Sequence, residues 1–173
     1  MFWRHISPPI VFYSTVANTF TDPNEILKLI NLSASDISYL AEEYKKVKSV
    51  LEERYKEVKL SYPANFAVAE GSSYLIYSLI RTFKPDIVVE SGVANGHSTF
   101  IILNALKANG KGKLISIDIS PNVGALLREE DKENWELSSG LSSFCHLSEL
   151  FYFIFPIVWF FNRLPKDKFH RYL

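Results

Sequence analysis

The chain has 173 residues, 19 basic and 19 acidic side chains, and 47% hydrophobic residues. This length predicts one domain with a sizeable core, and the apolar content excludes a disordered chain. Zero net charge argues against a nucleic-acid partner bound through a broad basic face. The single cysteine excludes an internal disulfide and a zinc site built from cysteine pairs, and it fits a reducing compartment.

Residues 1–60 are predicted to form an N-terminal helical region. Asp22 can cap a short helix, Pro23 suits its first position, and Glu25 stands where a capping box needs an acid. A longer helix is predicted over 35–59, because apolar residues recur there at alternating spacings of three and four. We favour an ordinary amphipathic helix over a coiled-coil helix or a lid, although a homo-oligomer stays open.

Residues 61–143 are predicted to form an α/β core. A helix over 70–83 is followed by a short apolar strand over 87–90, a glycine-containing turn and a helix over 97–109. A second apolar strand follows over 114–118. A strand, a helix and a further strand in this order predict two parallel strands, typical of a Rossmann-like sheet.

The turn between the first strand and its helix could belong to one of three nucleotide-binding signatures. A phosphate-binding P-loop needs four residues between its glycines and then a lysine, but only three separate Gly92 from Gly96 and His97 follows. The dinucleotide fingerprint fails at two of its three glycine positions, which hold Ala94 and His97.

The third signature is that of class I S-adenosylmethionine-dependent methyltransferases, which this sequence resembles. Those enzymes have an acid at the end of the first strand, a Gly-x-Gly-x-Gly turn or a relaxed form of it, and a second acid ending the second strand. Residues 66–143 look most like the small O-methyltransferase branch, which includes cephalosporin-hydroxylase-like proteins. The residues that would form the cofactor site are Glu90, Gly92, Ala94, Asn95, Gly96 and Asp118.

The resemblance implies a class I Rossmann-like fold, S-adenosylmethionine as cofactor, and methyl transfer, with an oxygen of a small molecule or sugar as the expected acceptor. Small residues in the turn would let the backbone approach a ligand. Asp118 could accept hydrogen bonds from both ribose hydroxyls, whereas Glu90 could accept from the cofactor amino group or order the loop. The alternative for Asp118 is a cap on a helix beginning at Ser120. His97 is expected to be exposed rather than to contact ligand.

Residues 144–173 form an aromatic-rich tail. The resemblance implies an acidic motif after residue 143 that supplies a base or a metal ligand, but the tail has none, so no catalytic residue is assigned. Its longest uncharged apolar run, 150–161, is too short to span a bilayer as a helix. The tail could complete the core, bind a membrane surface or a partner, or be an out-of-frame translation of a once longer gene. We favour the last, which makes the methyltransferase fold incomplete.

Two other functions therefore stay open: a non-catalytic remnant or binding protein that keeps half of a cofactor site, and a membrane-associated interaction protein. No two of the four histidines stand at the spacing of a metal-ligand pair, so no metal site is predicted. The two prolines at positions 8 and 9 interrupt the only place for the apolar core of a signal peptide, so we expect a cytoplasmic protein.

Overall fold

The computed structural model describes residues 10–13, 22–140 and 157–161, the first and last of these ranges by their backbone. Strands and helices alternate through the centre of the chain, and two short 3-10 helices lie at Ala64–Phe66 and Glu129–Asn134. The elements are β1 (Ile10–Tyr13), α1 (Pro23–Leu29), α2 (Ala34–Glu57), α3 (Glu70–Phe83), β2 (Ile87–Ser91), α4 (His97–Asn109), β3 (Lys113–Asp118), β4 (Trp135–Ser139) and β5 (Ile157–Phe161).

The described strands form one sheet in the order β1-β5-β2-β3-β4. Strands β2, β3 and β4 are parallel, with Val89 opposite Ile115 and Ser116 opposite Leu137. This arrangement confirms the predicted α/β class and its parallel strand pair. Strand β4 was not predicted, because its side chains are only half buried or exposed and form no continuous apolar run.

Strand β5 pairs antiparallel with β2 on the side opposite β3, and β1 pairs antiparallel with β5. Residues 157–161 belong to the predicted tail, so this pairing favours the explanation that the tail completes the core. The remaining tail residues lie outside the described ranges, and the out-of-frame origin stays a prediction.

Helix α1 begins as predicted, with the Asp22 side chain accepting a hydrogen bond from the Asn24 N–H at 2.9 Å and Pro23 in the first turn. The expected capping box does not form there, because the Glu25 carboxylate instead pairs with Lys28. Helix α2 does carry a capping box, in which Ser33 and Asp36 exchange hydrogen bonds.

The apolar stripe of α2 is buried, which confirms an amphipathic helix packed on its own domain. Ile37 and Leu51 of α2 belong to the same buried cluster as Leu79 of α3, Val88 of β2 and Phe100 of α4. The N-terminal helices therefore cover the core around β2 and α4, while the division of the chain at residues 60 and 143 stays a prediction. None of the helices within the described residues is long and apolar enough to cross a membrane.

Candidate functional site

The turn after β2 and the acid at the end of β3 lie in direct contact. The Asp118 carboxylate accepts a hydrogen bond from the Val93 N–H at 2.7 Å and a long one from the Ala94 N–H at 3.4 Å. The Gly92 N–H donates to the Ile117 carbonyl at 2.9 Å. Because β2 and β3 are parallel neighbours, their carboxyl ends meet at one edge of the sheet, where ligands of open α/β sheets bind.

Three small residues of the turn have left-handed backbone conformations: Gly92 at φ +84°, Ala94 at φ +48° and Gly96 at φ +88°. Alanine in the middle position bears a conformational cost of about 1–2 kcal/mol that glycine would avoid. A Cβ on Gly92 would meet nothing within 4 Å, whereas one on Gly96 would come within 3.0 Å of the Gly124 Cα. Gly92 thus borders open space, and Gly96 is required by packing.

Asp118 is 9% exposed, and its second oxygen accepts from the Ser120 N–H at 3.0 Å. A carboxylate offers about four acceptor positions, so three backbone donors leave room for a ligand hydroxyl. The alternative that Asp118 caps a helix is wrong, because residues 119–128 contain turns and bends and no helix.

Glu90 is fully buried, and three hydroxyl groups donate to its carboxylate: Ser98 at 2.5 Å, Thr99 at 2.8 Å and Ser116 at 2.7 Å. Burial raises the pKa of Glu90, against the effect of these donors. The Trp135 Nε1–H donates to the Ser116 hydroxyl at 2.8 Å. A polar chain thus crosses from β4 through β3 to β2 and the first turn of α4. These contacts fit the loop-ordering role expected for Glu90, while contact with a cofactor stays a prediction.

Asn95 faces the segment that connects α2 to α3. Its Oδ1 accepts from the Ser61 N–H at 3.1 Å and the Tyr62 N–H at 3.0 Å, and its Nδ2 donates to the Tyr62 carbonyl at 2.8 Å. The carbonyl groups of Ala94 and Asn95 accept hydrogen bonds from the Gly124 and Leu126 N–H groups, respectively. The turn is therefore hydrogen-bonded both to an earlier and to a later segment of the chain. Because these contacts join residues that lie about 30 positions apart, no local sequence pattern predicts them.

His97, the first residue of α4, is half-buried and contacts helices α2 and α3, so the expectation that it is exposed is wrong. Its Nδ1 lies 2.9 Å from the Tyr55 hydroxyl and its Nε2 lies 3.0 Å from the Ser73 hydroxyl. Burial lowers the pKa of His97, and the nearby charge of Glu70 opposes this shift.

Arg54 of α2 is a buried residue that the sequence prediction missed. Its guanidinium makes a two-point ion pair with Asp131, donates to the Leu126 carbonyl at 2.9 Å and lies 4.4 Å from the Phe100 ring centroid. Arg54 stands three positions after Leu51, on the apolar stripe of α2. A charged residue on that stripe was the sequence signal that could have indicated a buried ion pair. Arg54 holds the segment that follows Asp118 against α2.

In a comparison with protein families, residues 89–151 match the family model of a methyltransferase domain. The matched segment contains the turn, α4, β3 and β4, and it extends past residue 143, where the sequence prediction ended the core. No curated protein matches the chain. The candidate site thus lies within a segment that is similar to methyltransferase domains.

Proposed function

We propose that the chain is a class I S-adenosylmethionine-dependent methyltransferase whose cofactor binds at the turn between β2 and α4. One observation carries this proposal: Asp118 and the left-handed turn are in contact at the carboxyl ends of adjacent parallel strands. Their inclusion in the segment that matches methyltransferase domains supports it. The match covers residues 89–151, a little over a third of the chain, and favours methyl transfer over a phosphate-binding function.

The residues would divide the binding of the cofactor among them. Asp118 would accept a hydrogen bond from one ribose hydroxyl through its one unfilled acceptor position, and from the second hydroxyl once the long contact with the Ala94 N–H gives way. The open space at Gly92 would admit the cofactor against the backbone, because no side chain stands there. The first N–H groups of α4 would receive the methionine carboxylate, since a helix N-terminus favours an anion. Glu90, Ala94, Asn95 and Gly96 would give the turn its shape.

The chemistry that the cofactor supplies is an activated methyl group on a sulfonium. That group would pass to a nucleophilic atom of the acceptor, with the cofactor's thioether as the leaving group. The chain contributes mainly by holding the two reactants in line. A hydroxyl acceptor would also lose a proton to a base. We propose a small molecule or sugar as the acceptor and the cytoplasm as the compartment.

Calorimetry with S-adenosylmethionine and S-adenosylhomocysteine tests the proposal without knowledge of the acceptor. We expect both to bind, and Asp118→Ala to weaken binding at least about 10-fold, since at least one hydrogen bond to a charged group is lost. Asp36→Ala is the matched control, because it removes a carboxylate that accepts a backbone N–H at the start of α2. Unchanged affinity in Asp118→Ala would contradict the proposal that Asp118 binds the ribose of the cofactor. Binding without turnover over a broad set of acceptors would favour the non-catalytic alternative.

A further inference from the structure

The amide of Asn95 is committed to a segment more than thirty residues earlier in the chain. Its three hydrogen bonds to Ser61 and Tyr62 use both the oxygen and the nitrogen of the side chain. The side chain is 4% exposed. A buried amide with this many partners strongly fixes the position of the backbone it contacts, because each bond lost would leave a polar group unpaired.

The segment that Asn95 holds is exposed and aromatic. It continues from Tyr62 into the short helix Ala64–Phe66, and the rings of Tyr62 and Phe66 stack with their centroids 6.5 Å apart. Phe66 is 59% exposed, and Ser61 is exposed as well. Few buried contacts therefore fix this loop, which makes its attachment to Asn95 energetically important. We refer to residues 61–66 as the aromatic loop.

The backbone of Asn95 is itself part of the turn. Its two neighbours, Ala94 and Gly96, both have left-handed conformations, and its own carbonyl is bonded to the Leu126 N–H. A change in the turn that alters either neighbour would rotate the Asn95 peptide and move the side chain. Asn95 therefore joins the backbone of the turn to the aromatic loop through its side chain.

We propose that Asn95 is a positioning residue that clamps the aromatic loop to the turn, so that the loop forms a wall of the proposed cofactor site. Ligand binding at the turn is transmitted through this clamp to the loop. This inference rests on the proposed function for the nature of the ligand, but the clamp itself is a property of the ligand-free chain. It assigns to Asn95 a role beyond direct contact with the cofactor.

Hydrogen exchange of the Ser61 and Tyr62 amides, followed by NMR in the full chain, tests the clamp. We expect Asn95→Ala to accelerate their exchange about tenfold or more, because both amides lose their acceptor. Amides in the middle of α2 and in β3 should keep their rates. Asn104→Ala is the matched control, since Asn104 donates only to the Phe100 carbonyl of its own helix among the hydrogen bonds described. Equal exchange at Ser61 and Tyr62 in the wild type and Asn95→Ala would overturn the inference.

Two further measurements separate a positioning role from simple loss of structure. Asn95→Asp keeps an acceptor oxygen, and we expect it to restore part of the protection of Ser61 and Tyr62 that Asn95→Ala loses. In the wild type, saturating S-adenosylhomocysteine should slow the exchange of the Ser61 and Tyr62 amides as well as that of the turn. In Asn95→Ala, it should slow the exchange of the turn amides only. If this ligand protects Ser61 and Tyr62 equally in both proteins, the transmission is contradicted. If it does not bind the wild type, the proposed function fails, and the ligand-free comparison still decides the clamp.

Discussion

Substituting Glu90 with alanine removes a fully buried carboxylate on which three hydroxyl groups converge. Ser98, Thr99 and Ser116 are themselves buried, so their hydroxyls cannot turn to solvent. A buried donor left without a partner costs about 1–3 kcal/mol. The cavity left by the side chain adds to this cost, whereas removal of a buried carboxylate relieves its desolvation. We therefore expect Glu90→Ala to lower the free energy of unfolding by about 3–5 kcal/mol.

Glu90→Gln keeps the shape of the side chain and one acceptor oxygen, so we expect a smaller loss of about 1 kcal/mol. The contribution of Glu90 to the free energy of unfolding should also depend on pH, and the direction follows from its pKa. Burial raises the pKa of Glu90 above its ordinary value of 4.5, so the folded chain binds this proton more tightly than the unfolded chain does. The stabilisation by Glu90 is therefore complete below 4.5 and falls as pH rises through the pKa of the folded state. The free energy of unfolding of the wild type should therefore fall relative to that of Glu90→Gln as pH rises.

Urea unfolding followed by circular dichroism measures these differences in free energy. Glu136→Ala is the matched control on the neighbouring strand β4, because its carboxylate is half exposed and pairs with Lys113 at the surface. Such a pair contributes about 0–1 kcal/mol. The reasoning is refuted if Glu90→Ala costs no more than Glu136→Ala, or if the wild type exceeds Glu90→Gln in stability by more at about pH 8 than at about pH 4.

Three substitutions and one titration test other contacts of the site. Gly96→Ala should lower the free energy of unfolding by about 2–3 kcal/mol through strain and overpacking, and Gly92→Ala by only about 1 kcal/mol through strain; equal losses in urea unfolding would contradict the packing role. Asp131→Ala leaves the Arg54 guanidinium buried without its carboxylate and should cost about 3–5 kcal/mol, whereas wild-type stability would refute the pair. NMR titration should give His97 a pKa below 6.5, with its stabilisation lost as pH falls through that pKa; a value above 6.5 would contradict its burial.

The helices and the first two parallel strands could be predicted because their signals are local. Helix α3 has the predicted bounds, since its apolar face begins after a loop and Lys84 and Pro85 end it. The glycine turn was also readable, because an acid, small residues and a second acid stand in order along the chain. Gly92 and Gly96 do adopt left-handed conformations that favour glycine.

The partners of the site residues could not be predicted, because they come from distant parts of the sequence. Arg54 and Asp131 are separated by 77 positions, and Asn95 and Tyr62 by 33. No spacing rule links such pairs, so the buried ion pair and the clamp on the aromatic loop are visible only in the folded chain. Strand β4 was missed for a related reason: its pattern is polar and half-buried, and it is defined by pairing with β3.

The central claim is that the turn between β2 and α4, together with Asp118, binds S-adenosylmethionine. Backbone amide NMR shifts of the full chain during titration with S-adenosylhomocysteine test it most directly, because they report both binding and its place. The account predicts saturable shifts that are largest at Gly92 to Gly96 and around Asp118, with small shifts in the middle of α2. Absence of saturable shifts, or shifts confined to residues away from this edge of the sheet, would contradict the account.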